Sequence, residues 1–181
     1  MQFSSSLHTH GFTLIELLVT VAIMITVLGG GLVGYIGFNQ RQVVLESAKR
    51  TQSLFRAARA KAQVRDTPAG CATAGPPATA LYGYSVSAET TTPGSVVELR
   101  ATCGTSQAAA TAHATVSDSF VLPSGVSLSQ TFAVTYYTLH GGTNLASDTV
   151  IALTDGTRTY QFTVTPGGEL TDGCWEGKTC E

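Results

Sequence analysis

The chain has 181 residues, enough for one compact domain with an appendage but too few for two domains of ordinary size. Its 10 Lys and Arg residues nearly balance its 12 Asp and Glu residues, and the formal net charge of −2 gives no general affinity for nucleic acid. The charges are unevenly distributed, because seven of the ten basic residues lie between Arg41 and Arg65, whereas ten of the twelve acids lie from Asp66 onward. The composition therefore predicts a basic segment followed by an acidic domain.

One apolar segment, residues 12–38, has the length of a membrane span. It contains a single charged residue, Glu16, and it exceeds the roughly 20 residues that a helix needs to cross the hydrocarbon region. A cleaved secretory signal is the alternative, but such a signal has an apolar core of about 7–15 residues after a cationic region. Residues 1–11 contain no Lys or Arg. We therefore predict that residues 12–38 form a transmembrane helix.

The start of this segment carries a specific motif. Residues 11–19 read GFTLIELLV and resemble the processing site of type IV prepilins and pseudopilins. The resemblance implies that residues 1–11 are a leader peptide and that prepilin peptidase cleaves between Gly11 and Phe12. It further implies that the new terminal amine of Phe12 is N-methylated and that Glu16 acts in filament assembly.

Glu16 needs a partner if it lies in an apolar environment. An unpaired carboxylate in a membrane helix costs on the order of 2.5–3.5 kcal/mol on insertion scales. We expect the cleaved Phe12 amine of a neighbouring subunit to pair with Glu16 in the assembled filament. The alternative is that Glu16 extends to the lipid headgroups.

Glycines are frequent in the second half of the apolar segment, at positions Gly29, Gly30, Gly31, Gly34 and Gly37. Each lowers helix stability by about 1 kcal/mol relative to alanine. The resemblance to pilins implies a stretch that melts or bends on assembly, whereas the spacing of Gly30 and Gly34 favours close helix packing. Both interpretations stay open at this point.

Residues 39–67 are predicted to continue the helix as an amphipathic stem. Small and apolar residues recur every three or four positions, at Val44, Ala48, Thr51, Phe55, Ala58 and Ala62. The opposite face is predicted to carry Lys49, Gln52, Arg56 and Gln63. Pro68 and Gly70 follow, so we expect the helix to end near Arg65.

Residues 68–181 are predicted to form an extracytoplasmic β-rich head. Runs of β-branched and aromatic residues predict strands at Tyr82–Ser87, Val96–Cys103, Phe132–Tyr137, Val150–Thr154 and Thr159–Thr165. Asp155-Gly156 predicts a hairpin with a type I′ turn. The predicted class is α+β, with a long N-terminal transmembrane and stem helix packed on a small, mainly antiparallel sheet, which is the pilin fold.

Three further segments are similar, in their order, to GspH/FimT-type minor pilins and pseudopilins. They are the Ala/Arg-rich residues 54–62, the LPSGV step at 122–126, and the Asp155-Gly156 hairpin with the GGEL at 167–170. The resemblance implies a subunit of a type IV pilus or of a type II secretion pseudopilus, and the residues do not distinguish these two. It implies as partners other pilin or pseudopilin subunits, prepilin peptidase, an inner-membrane assembly platform, and membrane lipid before assembly.

The expected location follows from the same resemblance. We expect a single-pass protein of the inner (cytoplasmic) membrane with its C-terminal head outside the cytoplasm, which later enters the filament. The positive-inside rule opposes this orientation, because the basic residues follow the apolar segment instead of preceding it. The processing motif, the cysteines and the threonine-rich head outweigh it.

Four cysteines, Cys71, Cys103, Cys174 and Cys180, all follow the apolar segment. An even set in a small extracytoplasmic domain favours disulfides, for which three pairings are possible. We expect Cys71 to pair with Cys103 and Cys174 with Cys180. Zinc is the alternative, but no CxxC pair occurs and the histidines are dispersed, so we predict no metal and no other cofactor.

No motif indicates catalysis. The sequence lacks a nucleophile elbow and a phosphate-binding glycine loop, so we predict a structural protein and not an enzyme. The alternative function is capture of extracellular DNA, which some FimT-like proteins perform. Arg56 and Arg59 would be the candidate DNA contacts, although the acidic head weakens this alternative.

Overall fold

The computed structural model describes residues 12–69, 71, 81–104, 114–138 and 141–178, with the backbone alone for residues 30–34, 114 and 115. The predicted leader, residues 1–11, lies outside this description. The chain divides into two compact units, Met1–Asn39 and Gln40–Glu181. The predicted stem residues from position 40 onward therefore belong to the same unit as the strands.

Helix α1 runs without a break from Leu14 to Val64. It includes the glycine-rich stretch, which is helical in this single chain. The melting and close-packing interpretations of that stretch both concern the assembled state, and both stay predictions.

The C-terminal end of α1 is closed by two backbone hydrogen bonds. The N–H of Arg65 donates to the carbonyl of Ala62 (3.3 Å), and the N–H of Asp66 donates to that of Lys61 (3.1 Å). This pair of bonds is the Schellman arrangement. Arg65 takes the left-handed conformation (φ 53°) that glycine usually supplies there. The predicted end of the helix near Arg65 is confirmed.

Eight strands follow: β1 Leu81–Ala88, β2 Val96–Cys103, β3 Ala114–Val121, β4 Ser127–Leu128, β5 Phe132–Tyr137, β6 Thr149–Thr154, β7 Thr159–Val164 and β8 Cys174–Trp175. They form two four-stranded sheets with the orders β3-β2-β1-β5 and β4-β6-β7-β8. Every pairing between these strands is antiparallel. The predicted α+β class is confirmed, with two sheets in the head.

All five predicted strands are present, but β3, β4 and β8 were not predicted. β3 lies at the edge of the first sheet, and Val116 and Asp118 within it are exposed to solvent. Its sequence, ATVSDSFV, contains serine and aspartate, which are typical of turns. Pairing with β2 places these residues in a strand, because tertiary context overrides the local preference.

The predicted buried stripe of the stem is confirmed. Its six residues, Val44, Ala48, Thr51, Phe55, Ala58 and Ala62, are each at most 2% exposed. The Phe55 ring packs near Phe132 of β5 (centroids 5.7 Å apart) and Phe162 of β7 (5.9 Å). One side chain of the helix therefore contacts both sheets.

The prediction that Gln52 lies on the exposed face of the stem is wrong. Gln52 is buried, and so is Ser47, whereas Lys49 and Arg56 are exposed as expected. The stem packs against strands of two sheets, so its buried arc is wider than the stripe that the periodicity indicates.

The predicted type I′ turn at Asp155-Gly156 is also wrong. Thr154 pairs with Thr159, so residues 155–158 form a four-residue loop. A type I′ turn requires positive φ at both central residues, and of the two only Gly156 has one (φ 87°). The Asp155 carboxylate holds the loop instead, because its Oδ1 accepts from the N–H groups of Thr157 (2.9 Å) and Arg158 (2.7 Å).

A disulfide joins Cys71 to Cys103, with 5.3 Å between their Cα atoms. Both residues are fully buried. The bond links the segment after the stem to the end of β2, as expected. Cys174 is also disulfide-bonded, but its predicted partner Cys180 lies outside the described residues.

Candidate functional site

The first turn of α1 is capped by Thr13. The N–H of Leu17 donates to the Thr13 carbonyl (3.2 Å), and the N–H of Glu16 donates to Thr13 Oγ1 (3.3 Å). Thr13 is therefore the N-cap and Glu16 the third helical residue, the spacing of a capping box. A carboxylate in the first turn also interacts favourably with the helix dipole. Sequence reasoning missed the role of Thr13, although the pattern Thr-x-x-Glu indicates it.

The predicted assembly residues lie at the surface of this single chain. Phe12 is 80% exposed, and the side chain of Glu16 is exposed as well. Within the described residues, Glu16 makes no ion pair. Gly11, the predicted residue before the cleavage site, lies outside the description. The structure thus leaves the Glu16 carboxylate available to a partner from another chain.

The first unit exposes a long apolar surface. From Phe12 to Leu28 the large apolar side chains are between 46% and 82% exposed, far beyond the scattered apolar residues normal at a protein surface. The hydroxyls of Thr20 and Thr26 donate to helix carbonyls, at 2.9 Å to Leu17 and 2.8 Å to Ile23. The polar side-chain atoms of these two threonines are therefore paired within the helix.

Among the residues that the structure describes, there is no helix long and apolar enough to cross a membrane. The transmembrane role of residues 12–38 stays a prediction.

The basic residues of the stem are partly engaged by the head. The Arg41 guanidinium lies over the ring of Trp175 (5.0 Å) and that of Arg50 over Phe120 (4.9 Å). Trp175 also packs edge-on against Tyr160 of β7, with centroids 5.3 Å apart. These contacts attach the stem to both sheets, because Phe120 belongs to β3 and Trp175 to β8.

The two candidate DNA contacts differ in their surroundings. Arg59 Nη2 lies 3.9 Å from Glu169 Oε1, so an acid of the head partly offsets its charge. Arg56 is exposed. One of the two candidate contacts is therefore partly neutralised by the head, and the DNA alternative stays a prediction.

A groove of about 590 Å³ crosses the first sheet. It is lined mainly by small polar side chains, including Ser85 and Ser87 of β1 and Thr135 of β5. Arg100, which also lines it, is paired with Glu98 through Nε and Oε2 (2.5 Å). The lining residues that the structure describes include no histidine, and all four histidines of the sequence lie outside the described residues. Within the described part of the chain, no cluster of His, Cys, Asp and Glu could hold a metal ion.

Comparison with known families identifies the N-terminal segment. Residues 7–32 match the family model described as the prokaryotic N-terminal methylation motif. The motif supports a type IV pilin-like protein. The match includes Gly11, Phe12, Thr13 and Glu16 and excludes the head. Comparisons with curated proteins and with solved structures give no match. The GspH/FimT-type subclass therefore stays a prediction.

Proposed function

We propose that this chain is a minor pilin or pseudopilin, processed by prepilin peptidase and assembled into a type IV pilus or a type II secretion pseudopilus. The observation that carries the proposal is the prokaryotic methylation motif at residues 7–32. That motif implies cleavage by the peptidase and assembly with other pilins. The head would then serve a structural role, as heads of pilin-like proteins do, and no enzymatic activity is proposed.

The exposed apolar surface of the first unit supports a two-stage path for this segment. Exposure of the apolar side chains between Phe12 and Leu28 to water is unfavourable, so we expect another apolar surface to cover them. We propose that lipid of the inner membrane covers them before assembly and that equivalent helices of neighbouring subunits cover them afterwards. The hydroxyls of Thr20 and Thr26 already donate to carbonyls of their own helix. Both side chains are therefore compatible with lipid and with a bundle of helices, neither of which supplies water as a partner. The disulfide between Cys71 and Cys103 favours a head outside the cytoplasm.

The processing step is tested by mass spectrometry of the protein from its native envelope, without reductant. The N-terminal peptide is expected to begin at Phe12 with one methyl group on its amine. Gly11→Val should retain Met1, since the residue before the cleaved bond is altered, whereas Ser5→Ala in the leader should be processed normally. A wild-type protein that begins at Met1 would contradict the proposal. The apolar segment would then be an uncleaved membrane anchor instead of a filament helix.

Glu16→Ala tests assembly separately from processing. The variant should be inserted and cleaved as usual, because Glu16 lies beyond the cleaved bond. Its amount in sheared filaments should fall about tenfold or more, since a charge-assisted hydrogen bond contributes about 1.5–3 kcal/mol. Immunoblots of membrane and filament fractions measure this ratio.

The matched control is Glu46→Ala, which removes an exposed acid from the stem of the same helix. It should enter filaments at the wild-type level. Equal incorporation of Glu16→Ala and wild type would refute the assembly role of Glu16 and leave it only the capping position beside Thr13.

A further inference from the structure

The groove on the first sheet lies on the face that points away from the core. On β1, Tyr84 and Val86 are buried in the core, so Ser85 between them lies on the opposite face. The register places Arg100 of β2 and Thr135 of β5 on either side of Ser85. All three line the groove, whose volume of about 590 Å³ is in the range of about 300–1,000 Å³ typical of small-molecule sites.

A second depression, of about 210 Å³, continues the groove toward Val96. The groove and the depression share Ser87, Glu89 and Arg100, so they form one elongated surface. An elongated surface fits a ligand made of several linked units better than one compact molecule.

The charges along this surface disfavour an anionic ligand. Among the described residues that line it, Arg100 is the cation, and its guanidinium pairs with the Glu98 carboxylate. Glu89 is exposed and makes no ion pair within the described part of the chain. A phosphate, sulfate or carboxylate group would therefore meet a neutralised guanidinium and an unpaired acid.

The hydroxyls along the groove are available to a ligand. Within the described residues, Ser87 Oγ and Thr135 Oγ1 make no hydrogen bond to the protein, and Ser85 Oγ lies 3.5 Å from the carbonyl of Arg100. Each hydroxyl donates one hydrogen bond and accepts others. An apolar ligand would leave them unpaired, which is unfavourable, whereas a ligand that carries many hydroxyls exchanges hydrogen bonds with all of them.

The edge of β5 beside the groove is already paired by Asn144. Its Oδ1 accepts from the N–H of Thr135 (2.8 Å), its own N–H donates to the Thr135 carbonyl (3.1 Å), and its Nδ2 donates to the Ala133 carbonyl (3.2 Å). A peptide that binds by adding a strand needs these backbone groups. Asn144 therefore closes the groove to this mode of peptide binding.

An aromatic ring lies one row beyond the groove on the same face of the sheet. Tyr137 follows Thr135 by two residues on β5, about 7 Å further along the strand. Gly83 lies between Tyr137 and Thr102, which lines the groove, and places no side chain between them. The rings of Tyr137 and Tyr82 pack edge-on (centroids 5.4 Å apart), and both residues are only half-buried. The pair therefore presents a partly exposed aromatic surface beside the groove.

We propose that this groove binds a neutral oligosaccharide. The hydroxyls of Ser85, Ser87 and Thr135 exchange hydrogen bonds with those of the sugar, and the Arg100–Glu98 pair contributes charge-assisted hydrogen bonds. The ring of Tyr137 packs against the C–H face of a sugar unit at the end of the groove. The inference goes beyond the proposed function, because binding by the head requires neither cleavage nor assembly of the N-terminal segment.

An array of immobilised oligosaccharides tests the ligand class. It carries neutral chains of hexoses, N-acetylhexosamines and fucose, together with sialylated and sulfated forms of the same chains. The full-length protein is applied in micelles of a detergent without a sugar headgroup, so that the detergent does not compete. We expect binding to at least one neutral oligosaccharide and weaker binding to its sialylated and sulfated forms. Calorimetric titration with the best-bound neutral oligosaccharide then gives the Kd.

Two variants and one control test the place of binding. Ser87→Tyr fills the groove with a ring and should weaken binding at least about tenfold. Thr135→Val keeps the branched shape but removes one hydroxyl, and it should weaken binding about three- to tenfold, the effect of one lost hydrogen bond. Ser119→Tyr is the matched control, because Ser119 pairs with Glu98 from the β3 side, is exposed and does not line the groove. It should bind as the wild type does.

Near-ultraviolet circular dichroism checks that each variant is folded, and Thr135→Val carries the test if Ser87→Tyr is not. The proposal would be overturned if no neutral oligosaccharide of the array bound, or if only sialylated or sulfated forms did. Wild-type affinity in the folded variants at Ser87 and Thr135 would equally overturn it, since binding would then occur elsewhere on the protein.

Discussion

Replacing Phe55 with alanine is expected to lower the free energy of unfolding of the Gln40–Glu181 unit by about 3–5 kcal/mol. Phe55 is fully buried, and its ring packs near Phe132 of one sheet and Phe162 of the other. Alanine would remove apolar contacts with both sheets and leave a cavity that neither sheet closes alone. Since domains are stable by only about 5–15 kcal/mol, this loss is a large part of the total.

Denaturant unfolding of the full-length protein in detergent micelles, followed by near-ultraviolet circular dichroism, measures this loss. Arg56→Ala is the matched control, because Arg56 is the next residue of the same helix and is exposed. It should change the free energy of unfolding by less than about 0.5 kcal/mol. If Phe55→Ala lowered the free energy of unfolding by less than about 1 kcal/mol, the contacts of Phe55 with the two sheets would not be what holds the stem to the head.

The second large effect is expected from the disulfide between Cys71 and Cys103. The two residues are separated by 32 positions, and the chain-entropy relation for a loop of that length gives about 4 kcal/mol of stabilisation at 25 °C. The double variant Cys71→Ala/Cys103→Ala should lose about this amount in the unfolding experiment described for Phe55. The wild type in reductant should lose at least as much.

The double variant Cys174→Ala/Cys180→Ala is the control for loop length. Its predicted disulfide would close a loop of only about six residues, for which the same relation gives about 2 kcal/mol. A larger loss for this variant than for Cys71→Ala/Cys103→Ala would contradict the assignment of the main covalent constraint to the bond between the stem end and β2.

Local patterns predicted the elements in which one physical preference dominates. The spacing of Val44, Ala48 and Phe55 placed the buried stripe correctly, because the helical period alone decides which side chains share a face. The end of α1 near Arg65 was predicted from the breakers that follow it. The strands rich in β-branched and aromatic residues were predicted correctly because these residue types prefer strands.

The errors occurred where contacts between distant segments decide the outcome. Gln52 is buried because two sheets widen the covered arc of the stem. β3 is a strand because β2 supplies its hydrogen-bond partners, although its serines and Asp118 favour turns. In the β6–β7 loop, the hydrogen bonds accepted by Asp155 replace the expected two-residue turn.

The sequence by itself determined the processing motif, the apolar segment with its single acid, the buried stripe of the stem and the presence of an antiparallel head, because each depends on residue type and short-range spacing. The tertiary structure alone decided that the strands form two sheets and that Phe55 contacts both. It alone placed the ring of Tyr136, in β5, against Phe55 of the stem. These features join residues far apart in the chain, and only the packing of the core determines which of them meet.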